Sequence, residues 1–237
     1  MRPRTLLVAC LAALSLGAVL LGAVAAPARA ADECKGLRVC LPVTGPWVVV
    51  STQGADWELA CPLPRYVIGG TDARVAAGDV DVSFRGETGS PVGPGVTTLR
   101  SLVFHGVRTR AGAGTSSFQP FLGCIPSSGG GGRALTGSTG TGFGLKPSRP
   151  LFSVVVTAPV GRRSQTVRAA CPAPARLVGA THAVGFDQTS PPTSAERGAV
   201  SVTRSVVAGA VVARVTSTAS VGPRALVQVR ALCTRAR

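Results

Sequence analysis

The sequence predicts an all-β protein of two tandem, disulfide-closed repeats, sandwich-like or jelly-roll-like, behind a signal peptide. Three features of the 237-residue chain predict this fold class. It begins with a basic and then apolar segment, it contains one Cys-Pro segment twice, and its remaining apolar residues follow the two-residue period of β-strands. Beyond the first segment, no stretch of ten residues has the period of an amphipathic helix.

The first thirty residues contain the three parts of a secretory signal peptide. Arg2 and Arg4 precede an uncharged run over 6–26, and Ala28-Arg29-Ala30 is a small-x-small cleavage site. We expect cleavage after Ala30. The apolar run is also long enough to cross a bilayer, so a retained anchor stays open as an alternative.

The remaining chain contains six cysteines, an even number that is typical of disulfide bonding in an exported protein. Cys34 and Cys40 lie close together in the sequence. They are expected to pair with each other and to close a terminal clip over 31–40.

An internal repeat follows the clip, and it determines how the rest of the chain is divided. The segment CPLPRYVIGGTDA at 61–73 returns at 171–183 as CPAPARLVGATHA. We therefore divide the mature chain into a first β repeat (41–124), a Gly/Ser-rich linker (125–149) and a second, basic β repeat (150–237).

Each repeat contains a series of short β patterns. A β-branched run comes first, and an alternating strand then ends at a Cys-Pro pair, because proline cannot donate to a ladder. The glycine pair at 69–70 and its counterpart at 179–180 predict a bulge or a close backbone approach. The predicted strands cover 47–50, 57–61, 80–84, 98–107 and 118–124 in the first repeat, and 152–156, 166–171, 199–204, 205–217 and 225–233 in the second.

The symmetry of the repeats also selects a disulfide pattern. Six cysteines allow fifteen pairings. Both repeats end in an aligned cysteine, so the symmetry favours Cys61 with Cys124 and Cys171 with Cys233.

The residues that carry catalysis or bind metals in other proteins give no convincing pattern here. His105 and His182 occupy different positions of the repeat, and no Gly-x-Ser-x-Gly elbow accompanies them. Zinc would find its cysteine ligands oxidised. Asp72, Asp79 and Asp81 match no EF-hand spacing and are interpreted as a solvated strand face. The sequence predicts no catalytic, cofactor-binding or metal-binding residues and no cofactor.

Charge distinguishes the two repeats. Residues 41–124 contain six arginines and six acids, whereas residues 150–237 contain eleven arginines and two acids. Such a basic field attracts an anionic envelope polymer, an anionic lipid surface or nucleic acid. A solvated strand face is the alternative interpretation of these arginines. The candidate anion-binding residues are Arg162, Arg163, Arg204, Arg214, Arg224 and Arg230.

The Cys-Pro pair, the apolar pair and the Gly-Gly or Gly-Ala pair, followed by a distant cysteine, resemble a repeat of uncharacterised exported bacterial β-repeat proteins. Pro64 and Pro174 stand where the fuller form of that repeat has glycine. The resemblance implies export and a β fold. That family carries no known activity, so the resemblance implies no site residues.

The leading functional prediction is a non-enzymatic binding protein, secreted or held in the cell envelope, whose second repeat faces an anionic partner. A secreted envelope hydrolase is an alternative, and it requires His105 or His182 in a cleft beside a carboxylate or a serine. A purely structural secreted protein is a further alternative.

Overall fold

The computed structural model describes residues 33–85, 100–109, 116–126, 151–161, 164–218 and 224–234. Within these residues the fold is almost entirely antiparallel β-structure, as predicted. The first half contains β1 (Leu41–Thr44), β2 (Trp47–Val49), β3 (Ala55–Ala60), β4 (Tyr66–Val75), β5 (Val80–Arg85), β6 (Ser101–Arg108) and β7 (Ser117–Pro126). The second half contains β8 (Leu151–Pro159), β9 (Gln165–Ala170), β10 (Arg176–Phe186), a short helix α1 (Ser194–Gly198), β11 (Val200–Val207), β12 (Ala210–Ser217) and β13 (Ala225–Thr234).

The strands of the two halves pair in the same way. In the first half β7 lies between β4 and the successive strands β1 and β2, while β6 lies between β3 and β5. In the second half β13 lies between β10 and β8, while β12 lies between β9 and β11. Each half is therefore a pair of packed antiparallel sheets.

One strand joins the halves into a common central sheet. β2 pairs with β7 on one edge and with β10 on the other, so the central sheet has seven strands. Trp47 packs in the core of the second half, and Val48 packs in the core of the first half. Successive side chains of a strand point to opposite faces. The two three-stranded sheets therefore lie on opposite faces of the central sheet.

Three disulfides have the predicted pairing. Cys34 is bonded to Cys40, and the Cys61–Cys124 and Cys171–Cys233 bonds join the end of a three-stranded-sheet strand to the central sheet, with Cα separations of 5.8 and 5.7 Å. β3 and β9 each end at the residue before the Cys-Pro pair, as the missing proline donor requires.

The strand register corrects the alignment of the two halves by one residue. Ile68 lies opposite Cys124, and Leu177 lies opposite Cys233. β4 and β10 each have a bulge after this position. Beyond the bulge, Gly70 pairs with Gly123 and Gly179 pairs with Leu232. The chain from the Cys-Pro cysteine to this strand is one residue shorter in the second half. The structural counterpart of Gly179 is therefore Gly70 rather than Gly69.

The same shift changes which residue of the first half corresponds to His182, which the sequence alignment places over Asp72. Asp72 lies opposite Phe121, which is three residues before Cys124. Thr181 occupies that place in the second half, opposite Arg230, whereas His182 corresponds to Ala73.

The clip, residues 33–40, crosses the face of β4 and β7. A Cβ atom built on Gly70 would lie 2.9 Å from the carbonyl carbon of Glu33, and one built on Gly123 would lie 2.8 Å from it. Ordinary contact begins at 3.4 Å. The predicted close backbone approach is thus present at Gly70, and Leu232 occupies the equivalent of Gly123 in the second half.

Three local features differ from the sequence prediction. The predicted strand over 205–217 is a hairpin, because Ala208 and Gly209 have φ angles of 47° and 72° and reverse the chain. Thr193 and Glu196 form a capping box that starts α1, where no helix was expected. Tertiary pairing also carries β7 two residues into the predicted linker, to Pro126.

Several predictions lie outside the described residues: the signal peptide, most of the linker, and Arg162 and Arg163. Among the described residues, no helix has the length and apolar character that a membrane crossing requires.

Candidate functional site

A cleft of about 190 Å³ lies at the junction of the two halves, and both histidines of the chain line it. The turn after β2 and the residues Asp56 and His105 form one wall. Residues 181–184 of β10, together with Arg204 of β11, form the other. The sequence contains no local motif for this cleft, because its two walls come from parts of the chain more than 70 residues apart.

The turn at 51–54 shapes the first wall. The Gly54 amide donates to the Ser51 carbonyl at 3.1 Å, and Gly54 has a φ of 86°. A Cβ atom there would lie 2.9 Å from the Gly106 carbonyl oxygen and 3.4 Å from the His105 ring. Glycine is required at this position by both its backbone conformation and its close contact with the Gly106 carbonyl oxygen.

Asp56 and His105 form a hydrogen-bonded pair in this wall. They lie directly opposite each other on β3 and β6, so their side chains share one face of the sheet. His105 Nδ1 is 2.5 Å from Asp56 Oδ1, and the two side chains are 20% and 14% exposed. With Nδ1 directed at the carboxylate, the Asp56 contact fixes the orientation of the imidazole.

The second wall is an open edge of β10. β2 covers that edge only at Gly185 and Phe186 within the described chain. The Asp187 amide donates toward β13, to the Arg224 carbonyl, whereas the Ala180 carbonyl accepts from Arg204 on the opposite side. Backbone groups alternate between the two edges of a strand. The amide and carbonyl of His182 therefore point to the same edge as the Ala180 carbonyl.

Two buried polar atoms of this wall have no hydrogen-bond partner among the described residues: Thr181 Oγ1 and His182 Nδ1. Burial, and then the positive charge of Arg204, lower the pKa of His182 below its ordinary value. His182 is therefore neutral near neutral pH. Buried polar atoms are nearly always satisfied by protein, water or ligand, so water or a ligand in the cleft is the expected partner of these two atoms.

The chemical groups of the cleft limit what it can do. Within the described residues, no group of three or more His, Cys, Asp or Glu side chains is placed to hold a metal ion. The Ser51 hydroxyl donates to the Gly54 carbonyl at 2.7 Å and accepts from the Gln53 amide at 3.2 Å. Its hydrogen bonds therefore belong to the turn. Ser83 lies directly opposite His105 on β5, but its hydroxyl donates to the His105 carbonyl at 3.4 Å.

The predicted anion-binding arginines lie in different environments. Arg204 lies on the same side of β11 as the inward-facing Val200 and Val202. Its Nη1 donates to the Ala180 carbonyl at 2.5 Å. Arg214 is exposed on the outer face of β12. Arg224 precedes β13, and its charge contributes to the lowered pKa of Glu196, whose largest cause is the hydrogen bond from the Thr193 amide. Three neighbouring arginines of the sequence pattern thus face three different surfaces.

Arg230 differs from the expectation of an anion-binding side chain. Its Nε lies 3.3 Å from Glu58 Oε2, and both side chains are 11% exposed. Ser153 donates to the same oxygen at 2.6 Å. Gln228 exchanges two hydrogen bonds with the Glu58 backbone, at 2.7 and 2.9 Å. Arg230 therefore belongs to a polar network between the two halves.

Trp47 and Trp57 are core residues, each 2% exposed. The predicted acidic strand face is present only in part. Asp81 is exposed, as predicted. Asp79 precedes β5 and accepts a hydrogen bond from Ser116 at 2.6 Å, so it is not part of a solvated strand face.

No family model, curated protein or solved structure matches the chain.

Asp56 and Thr181 were not predicted from the sequence. Both stand on alternating strands, where polar residues usually face solvent. Only the pairing of β3 with β6 and the open edge of β10 distinguish these residues from other polar strand positions.

Proposed function

We propose that this chain is an exported binding protein of two tandem repeats, secreted or held in the cell envelope, that binds an anionic polymer through the second half. Three disulfides indicate an oxidising environment, which supports export. The proposed surface, which we name the arginine face, is the solvent side of the β9–β12–β11 sheet. No Asp or Glu occurs in these three strands.

The geometry of the arginine face carries the proposal. Arg168 pairs with Val212, and Arg214 pairs with Thr166, so the two exposed arginines stand on the same face of adjacent strands. Such diagonal neighbours are about 7–8 Å apart at Cα. Hydroxyl side chains surround them at Ser201, Thr203, Ser205 and Thr216. An acid-free face of this kind attracts successive anionic groups of a polymer without internal competition.

Binding of a single-chain polyphosphate, measured over a range of salt concentrations, tests the proposal. The double variant R168Q/R214Q should weaken binding and reduce the salt slope by about 0.7 for each arginine removed, as for single-stranded polyanions. Arg65, exposed in the first half, provides the matched control R65Q. Equal binding by the double variant and by R65Q would refute the arginine face. Anionic vesicles and a single-stranded oligonucleotide serve as competing partners in the same assay.

A second candidate, an envelope hydrolase, is supported by the Asp56–His105 pair in the cleft. An imidazole oriented by a carboxylate is a suitable general base for a water molecule. Hydrolysis of small ester and amide substrates by the wild type, with loss in both D56N and H105Q, would support this function. Equal rates in the wild type and H105Q would exclude a role for the pair.

A further inference from the structure

We propose that the junction cleft binds the carboxylate group of a small ligand, at the open edge of β10 and beside Arg204. This site is separate from the arginine face, which lies on the solvent side of β9, β12 and β11. The proposal therefore does not depend on polymer binding.

The donors of the site converge from two strands. Arg204 has five N–H donors, and its contact with the Ala180 carbonyl uses one. The His182 amide points to the same edge as that carbonyl, as the alternation along β10 requires. Thr181 also lines the cleft, and its buried hydroxyl oxygen has no partner among the described residues. A guanidinium with neighbouring N–H and O–H donors is an arrangement that binds an oxyanion.

The two charged walls of the cleft bear on the charge of the ligand. Asp56 lines the same cleft as Arg204, 2.5 Å from His105. Repulsion by Asp56 and attraction by Arg204 both double for a dianion, because the Coulomb energy scales with the charge. The cost of removing the ligand from water rises faster, with the square of its charge, so the site should favour a carboxylate over a phosphate dianion.

The volume of the cleft limits the size of the ligand group that can bind in it. Pockets for drug-sized ligands have volumes of about 300–1,000 Å³. The volume of about 190 Å³ is below that range. It admits a small carboxylic acid, or the carboxylate end of a longer molecule whose remainder leaves the cleft.

The two histidines provide the assay, because the chain has no others and both line the cleft. Imidazole resonances of the full chain are followed by NMR during titration with acetate, at constant pH and ionic strength. Acetamide is the uncharged control of the same shape, and inorganic phosphate tests the charge preference. N-acetylglycine distinguishes the carboxylate end of a peptide from a free small acid.

We expect acetate to shift the His182 resonances in a saturable manner and acetamide to leave them unchanged. R204Q should weaken acetate binding about tenfold or more, since it removes a charged donor. T181V, of nearly equal volume, should weaken it less, and R214Q on the outer face should leave it unchanged. N-acetylglycine binding tighter than acetate would assign the site to peptide ends.

Three results would overturn the proposal: equal shifts with acetamide, unchanged acetate affinity in R204Q, or phosphate binding tighter than acetate. Amide spectra of R204Q and T181V that retain the dispersion of the wild type show that any loss is local. Failure here leaves polymer binding untouched, because R168Q/R214Q affects only the arginine face.

Discussion

Replacement of Gly123 by alanine should displace the clip from the central sheet. The new Cβ would lie 2.8 Å from the Glu33 carbonyl carbon, closer still to its oxygen, and 2.9 Å from Cys40 Sγ. These atoms are backbone and disulfide, which cannot rotate away. The clip must therefore move by at least the 0.5 to 0.6 Å that separates these distances from ordinary contact at 3.4 Å.

The expected cost follows from the chemistry of an overfilled contact. Forcing an extra carbon into a packed site typically costs about 1–3 kcal/mol. An alanine in a strand recovers about 0.5–1 kcal/mol of backbone entropy relative to glycine, which partly offsets that cost. We therefore expect Gly123→Ala to lower the free energy of unfolding by about 1–2 kcal/mol.

Two measurements check this expectation. Urea unfolding gives the stability, and limited trypsin digestion at Lys35 and Arg38, both in the clip, reports its release from the sheet. Gly78→Ala is the matched control, because nothing lies within 4 Å of its Cβ position. Unchanged stability together with unchanged cleavage of the clip would show that its close approach does not hold it in place.

Two further predictions concern other parts of the molecule. Glu58→Ala removes the carboxylate that faces Arg230 between the halves, and breaking such a largely buried pair should lower the free energy of unfolding by about 3 kcal/mol. Urea unfolding measures this loss, and the exposed control Asp81→Asn should change the free energy by less than about 0.5 kcal/mol. The lowered pKa of His182 means that the unfolded chain binds its proton more readily than the folded protein does. This contribution to stability is complete above the unfolded pKa of about 6.5 and decreases as the pH falls through it. Between about pH 7.5 and about pH 5.5 the wild type should therefore lose more unfolding free energy than His182→Gln, and equal losses would contradict the role of His182.

Much of the fold was predictable from local patterns. Strand ends at the Cys-Pro pairs follow from the missing proline donor, which acts within one residue of the chain. The three disulfides follow from spacing and from the similarity of the two segments. The buried position of Trp57 follows from its alternation with Leu59 and Cys61.

The register could not be obtained in this way. Aligned glycines place Gly69 over Gly179, yet the pairing with the final strand places Gly70 there. A bulge shifts the pairing by one residue without a distinct sequence signal. Gly69 is the bulged residue of β4, whereas Val178 is the bulged residue of β10. This shift makes Thr181, rather than His182, the structural counterpart of Asp72.

The sequence by itself determined the all-β class, the disulfide pairs and the basic character of the second half, because these depend on residue types and short spacings. Only the tertiary structure decided that β2 joins the halves, that Arg230 is directed at Glu58, and that His105 and His182 share a cleft. These relations depend on which strands meet and in what register, and strand pairing is a long-range property that local patterns do not encode.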